Sequence, residues 1–434
     1  MNDNPTYQQS MCTHSAACDG SNTATTRRRD ENETKTTANN AVRLVPELRF
    51  PEFQNAGEWK VKKLGDCLLQ TPDYGVNAPA VPFSDKLPVY LRITDISENG
   101  QYIREGKVSV DVIATEHNSL QVGDIVFART GASVGKVYKY KKEDGPLVFA
   151  GFLIRVKPNT SILSSEFLFQ YLQTGAYKKW VEITSTRSGQ PGINSAEIES
   201  FVIPIPPTST EQRRIAAFLQ SIDEEINATK QELEQLKTHK KALLQKLFPQ
   251  RGKTTPELRF PEFQNAGEWE EVKLGEIIKV HSGRDYKHLN LGNIPVYGTG
   301  GYMLSVDDYL SEIDAIGIGR KGTIDKPQYL KAPFWTVDTL FYMTTNVGYD
   351  VKFIYYLSQT IAWKKYGEQT GVPSLSKVSI ENMEIYVSTN IAEQRRIADA
   401  FSSLDDSIDS CSKKINELLQ HKEGLMQELF PRNI

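Results

Sequence analysis

The sequence has few residues of the kinds that build metal sites or disulfide frameworks. Its 434 residues include four cysteines and six histidines. The cysteines lack C-x-x-C spacing and the histidines form no H-E-x-x-H motif, so neither a zinc site nor a disulfide framework is indicated. We therefore expect no metal site and a reducing, cytoplasmic environment.

Long apolar runs are also missing. The longest, residues 147–154, is the length of a β-strand and well short of the roughly 18 residues that a membrane-spanning helix needs. The N-terminus is polar and lacks the apolar segment of a secretory signal, so we expect no membrane partner. The formal net charge of −3 lacks the basic excess of many DNA-binding proteins, which counts mildly against nucleic acid.

Catalytic motifs are incomplete. Residues 317–322 match G-x-G-x-x-G, but no helix is predicted after them to bind a phosphate at its N-terminus. Residues 131–136 resemble a P-loop, yet the motif is one residue short and lacks the following Ser or Thr. We therefore expect no catalytic residue and no cofactor in this chain.

What the sequence does contain is an internal duplication. The string PELRFPEFQNAGEW occupies residues 46–59 and, letter for letter, residues 256–269. A second repeated block opens with EQRRIA at Glu211 and again at Glu393. Each half is therefore a repeated string, a variable insert and a repeated block. Residues 1–43 precede both halves, and their polar composition predicts a disordered tail.

Each repeated block predicts a long helix. Apolar residues recur at alternating steps of four and three over more than four heptads, and Lys240 and Lys422 interrupt both patterns at the same position. Pro249 and Pro431 end the patterns, which start after capping-box spacings from Thr208 and Asn390. The predicted seam consists of Ile215, Leu219, Ile222, Ile226, Leu233, Leu236, Ile397, Phe401, Leu404, Ile408, Ile415 and Leu418.

Two matching seams in one chain favour packing of the helices on each other as an antiparallel pair with a pseudo-two-fold axis. The alternative is that each helix packs on its own insert. Each predicted helix is about 50 Å long, for about 33 residues at 1.5 Å per residue. The invariant string would then pack against the repeated helices or form equivalent docking surfaces for two copies of one partner.

The inserts predict a mixed fold in which strands dominate. The first has strand-like runs and then a helix over residues 88–93, 124–128, 147–154 and 166–181. The second repeats this order over residues 294–297, 314–318, 334–343 and 351–366. We predict an α+β protein in which two similar mixed α/β domains are separated by two long helices that form an antiparallel coiled coil. The predicted units are residues 1–43, 44–210, 211–250, 251–392 and 393–434.

Two polar loops in each insert are candidates for ligand binding. Residues 129–136 and 320–326 each carry an Arg, a Gly two residues later, a hydroxyl residue and a Lys; residues 185–194 and 369–376 are rich in amides and hydroxyls. Such side chains can contact base edges or phosphates, although tight turns with incidental charge would look the same. The candidate DNA-binding residues are Arg129, Thr130, Ser133, Lys136, Arg187, Ser188, Gln190, Asn194, Arg320, Lys321, Thr323, Lys326, Gln369, Thr370 and Ser374.

These features together closely resemble a known family. Two variable inserts alternate with two near-identical helices that open with EQRRIA, and each half starts with PELRFPEF…GEW. This arrangement, over about residues 44–434, resembles the DNA-specificity subunit of type I restriction–modification enzymes. The resemblance implies that each insert is a target recognition domain for one half of a split DNA sequence. The helices would be the spacer that fixes the unread gap.

The resemblance also implies partners. They would be double-stranded DNA, two DNA methyltransferase (modification) subunits that carry S-adenosylmethionine, and restriction motor-nuclease subunits that use ATP and magnesium. The chain itself would be non-catalytic. Two alternatives stay open at this point: a coiled-coil scaffold whose inserts bind protein or carbohydrate, and a self-contained nuclease or methyltransferase.

Overall fold

The computed structural model describes residues 44–186, 189–367 and 373–432, so the predicted tail over residues 1–43 lies outside the described residues. The described strands of the first half are β1 (Lys60–Lys63), β2 (Asp73–Tyr74), β3 (Ala80–Pro82), β4 (Val89–Leu91), β5 (Val108–Val110), β6 (Ile125–Ala128), β7 (Val137–Lys139), β8 (Leu147–Phe149), β9 (Leu153–Val156) and β10 (Val202–Ile205). Its helices are α1 (Ser165–Tyr171), α2 (Gly175–Ser185), α3 (Ser195–Ser200) and α4 (Ser209–Leu247).

The second half repeats this plan. Its described strands are β11 (Glu270–Lys273), β12 (Ile278–Ser282), β13 (Leu291–Gly298), β14 (Gly301–Val306), β15 (Ala315–Gly319), β16 (Gln328–Leu330), β17 (Trp335–Thr336), β18 (Leu340–Thr345) and β19 (Glu384–Val387). Its helices are α5 (Leu274–Ile277), α6 (Val351–Ser358), α7 (Lys377–Glu381) and α8 (Ile391–Leu429).

The sheets of the two halves correspond. An antiparallel four-stranded sheet has the order β2-β9-β6-β7 in the first half and β12-β18-β15-β16 in the second. A second sheet contains one parallel pair in each half, β4 with β8 and β13 with β17. A two-stranded ribbon, β1 with β10 or β11 with β19, precedes each long helix. The ribbon therefore brings the segment after each repeated string next to the start of the long helix.

In each four-stranded sheet the two central strands, β6 and β9 or β15 and β18, are buried on both faces. In the first half, Phe127 and Ile154 face the helices, whereas Val126 and Leu153 face the second sheet. Alternate residues of these strands therefore belong to different cores, which is the period-two pattern of a pleated strand. Because both faces are buried, the strands read as continuous apolar runs in the sequence.

The prediction of one continuous strand is wrong in two places. Residues 147–154 form β8 and β9, which belong to different sheets, and residues 334–343 divide in the same way into β17 and β18. The chain crosses between the sheets at residues 150–152, where the Gly151 amide donates to Val76 O over 2.7 Å. A continuous apolar run gives no periodic signal at such a crossing, although Phe152 within it is 56% exposed.

The two helices predicted inside the inserts are also interrupted. Residues 166–181 are divided between α1 and α2, because Thr174 Oγ1 donates to Tyr171 O and accepts from the Tyr177 amide, which starts a new helix. In the second half, α6 ends at Ser358 and a short 3₁₀ turn, Trp363–Lys365, follows. The Trp363 indole N–H donates to Ser358 O over 2.8 Å and holds this turn against the end of α6.

The long helices α4 and α8 each contain 39 residues, which corresponds to about 58 Å. Both begin two residues before the predicted starts at Glu211 and Glu393. Thr208 Oγ1 accepts from the Glu211 amide over 3.2 Å, and Asn390 Oδ1 accepts from the amides of Ala392 and Glu393. These caps satisfy amides that have no partner inside the first turn of a helix.

The two long helices pack on each other in antiparallel orientation, as predicted. Lys240 Nζ lies 2.5 Å from Asp405 Oδ1, and Lys422 Nζ lies 2.7 Å from Asp223 Oδ1. The two ion pairs are equivalent in the repeat, and both involve the lysine that interrupts the apolar seam. Polar residues within a seam fix the register of a coiled coil, because other registers leave them unpaired.

The predicted seam residues face inward along both helices. Those that are buried are Ile215, Leu219, Ile222, Ile226, Ile397, Phe401 and Ile415; those that are half-buried are Leu233, Leu236, Leu404, Ile408 and Leu418. Ile215 and Leu219 belong to the core of the first half, and Ile397 and Phe401 to that of the second. The N-terminal part of each helix therefore packs on its own insert, in addition to the packing of helix on helix.

The repeated string packs against the repeated helices. Arg49 donates through Nε and Nη2 to the two carboxylate oxygens of Glu211, over 2.7 and 2.8 Å. The Trp59 indole N–H donates to the same carboxylate over 3.2 Å. In the second half, Arg259 contacts Glu393 in the same bidentate geometry, over 2.6 and 2.8 Å. The glutamates of EQRRIA thus bind the string, although capping-box spacing predicts a return to the helix cap.

Each string also contacts the C-terminal end of the other long helix. The Leu48 amide donates to Glu428 O in α8 over 3.0 Å, and the Leu258 amide donates to Lys246 O in α4 over 2.9 Å. Both carbonyls lie in the last turn of a helix, where they have no partner within the helix. One string therefore joins the start of one helix to the end of its antiparallel neighbour, which explains why it occurs twice.

A phenylalanine follows each long helix and completes the core of the other half of the chain. Phe430, after α8, packs 5.5 Å from Phe167 and 5.4 Å from Tyr171 between ring centres in the first half. Phe248, after α4, packs 5.6 Å from Phe353 and 6.0 Å from Phe401 in the second half. The C-terminal end of α8 is therefore part of the core of the first half, and the C-terminal end of α4 is part of the core of the second half.

Candidate nucleic-acid interface

The two candidate loops of the first half meet in the folded chain. We call residues 129–136 and 190–194 the first loop pair. The Gly131 amide donates to Pro191 O over 3.1 Å, and the Ile193 amide donates to Arg129 O over 2.8 Å. These bonds place Arg129 at the junction of the two loops, directly after β6.

The second half contains the same junction. We call residues 320–326 and 373–376 the second loop pair. The Gly322 amide donates to Pro373 O over 3.0 Å, and the Leu375 amide donates to Arg320 O over 2.9 Å. Gly131 and Gly322 have φ angles of 70° and 83°, a left-handed conformation that favours glycine and explains the shared Arg-x-Gly pattern.

The two shared arginines have different surroundings. The guanidinium carbon of Arg129 lies 4.9 Å from the centre of the Tyr74 ring, and its Nε is buried with no hydrogen bond among the described residues. Arg320 is exposed, and its guanidinium carbon lies 5.8 Å from the centre of the Phe341 ring. Stacking on an aromatic ring holds a guanidinium in place while leaving donors free for a ligand.

The other candidate residues of the first half differ in their exposure and in whether their polar groups already have a partner. Thr130 and Ser133 are half-buried within the loop pair, and Gln190 is exposed beside it. Lys136 Nζ lies 2.8 Å from Glu98 Oε1, so its charge is paired. Asn194 Oδ1 accepts from the Glu197 amide and caps α3, which gives Asn194 a structural role.

The second loop pair borders a cleft of about 370 Å³. The residues that line it are Ser282, Arg320, Lys321, Phe341, Ser374, Leu375, Ser376 and Lys377. Lys321 is exposed and pairs through its backbone with Ser374. Thr323 and Lys326 lie further along the loop, half-buried and exposed respectively. The candidates Arg187, Ser188, Gln369 and Thr370 lie outside the described residues.

The charges at the second loop pair are mainly cationic. Arg320, Lys321 and Lys377 line the cleft, and a hydrogen bond from Lys364 lowers the pKa of Asp325, which keeps that carboxylate ionised and paired. Burial, with further contributions from Lys279 and Lys377, lowers the pKa of His281, so its ring stays neutral at pH 7. Three cations around one opening favour an anionic ligand or one rich in acceptors.

Some residues at these sites were not among the sequence candidates. Tyr74 and Ser282 end β2 and β12, and the carbonyls of Phe152 and Thr339 accept from the amides of Arg129 and Arg320, over 3.0 and 2.8 Å. The one shared sequence signal is the glycine that follows Tyr74 and Ser282. Tertiary pairing of strands, rather than proximity in the sequence, brings these residues to the loops.

Neither a metal centre nor a membrane span is found in the part of the chain that the structure describes. Within these ranges, no group of three or more His, Cys, Asp or Glu side chains is arranged to hold a metal ion. The helices of the same ranges include none that is both long and apolar enough to cross a bilayer.

Comparison with protein families identifies the class of protein. The family described as type I restriction modification DNA specificity domain matches residues 56–238 and 266–420. Each match covers one insert and most of the long helix that follows it. The chain belongs to this family and carries its domain twice.

Curated relatives agree with this assignment. The type I restriction enzyme MjaVIII specificity subunit of Methanocaldococcus jannaschii is 23% identical over 435 aligned residues, which cover 89% of this chain and 94% of the relative. The putative type I restriction enzyme MjaX specificity subunit of the same organism is 26% identical over 224 residues, covering 50% of this chain and 52% of the relative. The first relative thus matches nearly the whole chain.

A solved structure has the same fold. The S subunit of the type I restriction–modification system from M. genitalium superimposes with a TM-score of 0.64 and 19% identity. The match covers 90% of this chain and 100% of that one. The arrangement of two domains and two long helices is therefore shared.

Proposed function

We propose that this chain, as a type I specificity subunit, reads a bipartite DNA target with one half-site for each loop pair. The observation that carries this proposal is the duplication of one backbone arrangement with different side chains. Arg129 and Arg320 occupy equivalent positions at the ends of β6 and β15, whereas the residues around them differ. Such a pair suits two half-sites of unlike sequence in one DNA duplex.

The long helices supply the spacing between the half-sites on this proposal. About 58 Å of helix corresponds to about 17 base pairs of B-form DNA, or a little over one and a half turns. Ion pairs between Lys240 and Asp405 and between Lys422 and Asp223 fix the register of the two helices. A fixed register would hold the two loop pairs at one separation.

The proposal assigns the chemistry to partners. Two DNA methyltransferase subunits with S-adenosylmethionine would bind around this chain, and restriction subunits with ATP and magnesium would join them in the cytoplasm. The duplicated strings and helices give the chain two equivalent faces, which suit two copies of one partner. The net charge of −3 fits a subunit whose partners supply much of the phosphate contact.

Exchange of the first insert tests whether the two domains are modular. Replacing residues 66–207 by the insert of another family member should change one half of the methylated sequence and leave the other half and the gap intact. Methylome sequencing of a host that expresses the hybrid with the methyltransferase measures all three. A change in both halves, or in neither, would show that the two domains do not read separate half-sites.

Single substitutions test the shared arginines. Arg129→Ala and Arg320→Ala should each weaken binding by about 1–3 kcal/mol if the arginine contacts a guanine, and each should relax specificity in one half-site only. A gel-shift titration with the methyltransferase present measures the loss. Lys86→Ala removes one exposed charge between β3 and β4 and serves as the control. Equal affinity of Arg129→Ala and Lys86→Ala would argue against the base contact.

A further inference from the structure

The two loop pairs share a backbone frame that allows comparison residue by residue. Arg129 and Arg320 make the same two backbone bonds, to Phe152 O and Thr339 O and from the Ile193 and Leu375 amides. Because these bonds match, Thr130 corresponds to Lys321 and Phe152 to Thr339. Tyr74 pairs with Ile154 in β9, and Ser282 pairs with Phe341 at the same place in β18.

The side chains on this frame differ in a consistent way. The first half presents two exposed aromatic residues on segments that adjoin Arg129. The ring of Tyr74, which is 42% exposed, lies 4.9 Å from the Arg129 guanidinium carbon, and Phe152, which is 56% exposed, accepts from the Arg129 amide through its carbonyl. The second half has hydroxyl residues, Ser282 and Thr339, at these positions. It adds a cation instead, because Lys321 replaces Thr130 beside the shared arginine. The arginine is therefore common to both halves, and the groups around it distinguish them.

These differences match different base edges in the major groove. Exposed apolar side chains can recognise the methyl group of thymine, which is the apolar feature of the groove. Lysine, like arginine, donates to the N7 and O6 acceptors of guanine. The Tyr74 ring is held in place by the Arg129 guanidinium and, at its hydroxyl, by hydrogen bonds with Ser195, so its exposed part forms a fixed surface next to the cationic group.

Building on the proposed function, we propose that Tyr74 and Phe152 recognise a thymine methyl group next to the base pair contacted by Arg129. In the second half, Lys321 recognises a further guanine next to the one contacted by Arg320. The arginines provide the contact common to both half-sites. Tyr74, Phe152 and Lys321 are the residues that make the two half-sites differ.

Base analogues test the first half of this proposal. In duplexes that carry the methylated motif, each thymine of the first half-site is replaced in turn by deoxyuridine, which lacks the methyl group. The complex of the full chain with its methyltransferase should lose about fourfold in affinity at one position, the factor for about 0.8 kcal/mol of methyl burial. The Tyr74→Ala/Phe152→Ala variant should lose nothing further at that position, whereas Ile113→Ala, an exposed control, should behave as the unaltered chain does.

The second half is tested with 7-deazaguanine, which lacks the N7 acceptor. The unaltered complex should lose about fivefold or more at two guanines, and Lys321→Thr should abolish the effect at one of them. Insensitivity of the unaltered complex to both analogues, with the motif still bound, would overturn this assignment and leave the proposed function standing. Failure of the complex to prefer any motif over random duplex would instead overturn the proposed function. Melting temperatures confirm that each variant is folded.

Discussion

Replacement of Arg49 by methionine is expected to lower the free energy of unfolding by about 3–5 kcal/mol. The Arg49 and Glu211 side chains are 6% and 0% exposed, so the substitution leaves a buried carboxylate without its cation. An uncompensated buried charge costs more than the ion pair contributes, because the carboxylate has lost its water. Urea unfolding of the Arg49→Met variant, monitored by circular dichroism, measures the change.

Two controls separate this effect from simple loss of a side chain. The double variant Arg49→Met/Glu211→Met removes both charges and should regain most of the lost stability. Arg214→Met breaks a nearby pair with Glu52, at 3.5 Å and about half exposed on both sides, and should cost about 1 kcal/mol or less. A loss for Arg49→Met no larger than for Arg214→Met would show that the buried pair does not anchor the string.

Replacement of Phe430 by alanine should destabilise the first half by about 3–5 kcal/mol, although Phe430 lies more than 200 residues further along the chain. The substitution opens a cavity beside Trp59, Phe167 and Tyr171, which pack around the ring. Hydrogen exchange followed by mass spectrometry should show faster exchange in β9 and α1. The second half should keep its protection.

The repeat provides a reciprocal test of this effect. Phe248→Ala should weaken protection in the second half instead, since Phe248 packs against Trp269, Phe353 and Phe401. Leu419→Ala, at an exposed position on α8, should change stability by less than about 0.5 kcal/mol. If Phe430→Ala and Phe248→Ala both lost protection in the same half, this would contradict the inference that each phenylalanine completes the core of the other half.

Repetition made much of this architecture predictable. The seam that is interrupted at Lys240 and Lys422 predicted two long helices in antiparallel contact, because an apolar stripe kept at this period over several heptads needs a second helix to cover it. The division of residues 147–154 between two sheets was not predictable, because the run is apolar throughout and the exposed Phe152 at the crossing is as apolar as the buried residues on either side. Local periodicity reports burial, whereas the sheet that a strand joins depends on distant partners.

The candidate interface was predictable to a similar degree. Arg129 and Arg320 could be found because each is followed two residues later by a glycine, an Arg-x-Gly pattern that the sequence shows. In the structure both glycines have positive φ. Tyr74 and Phe152 are not marked, because β2 and the crossing after β8 reach Arg129 through strand pairing. The bond between Arg49 and Glu211 joins residues 162 positions apart, and the capping-box spacing suggested a different partner for Glu211.

The placement of Phe430 has a consequence for the order in which the chain matures on the ribosome. The second half receives Phe248 before its own insert is made, so its core can close as soon as α8 begins to form. The first half is translated earlier but lacks Phe430 until after all of the second insert has emerged. A product that stops short of Met426 would therefore carry an open apolar core at its N-terminal end, exposed to chaperones and proteases. The first domain therefore closes only after the C-terminal part of α8 and Phe430 have been made.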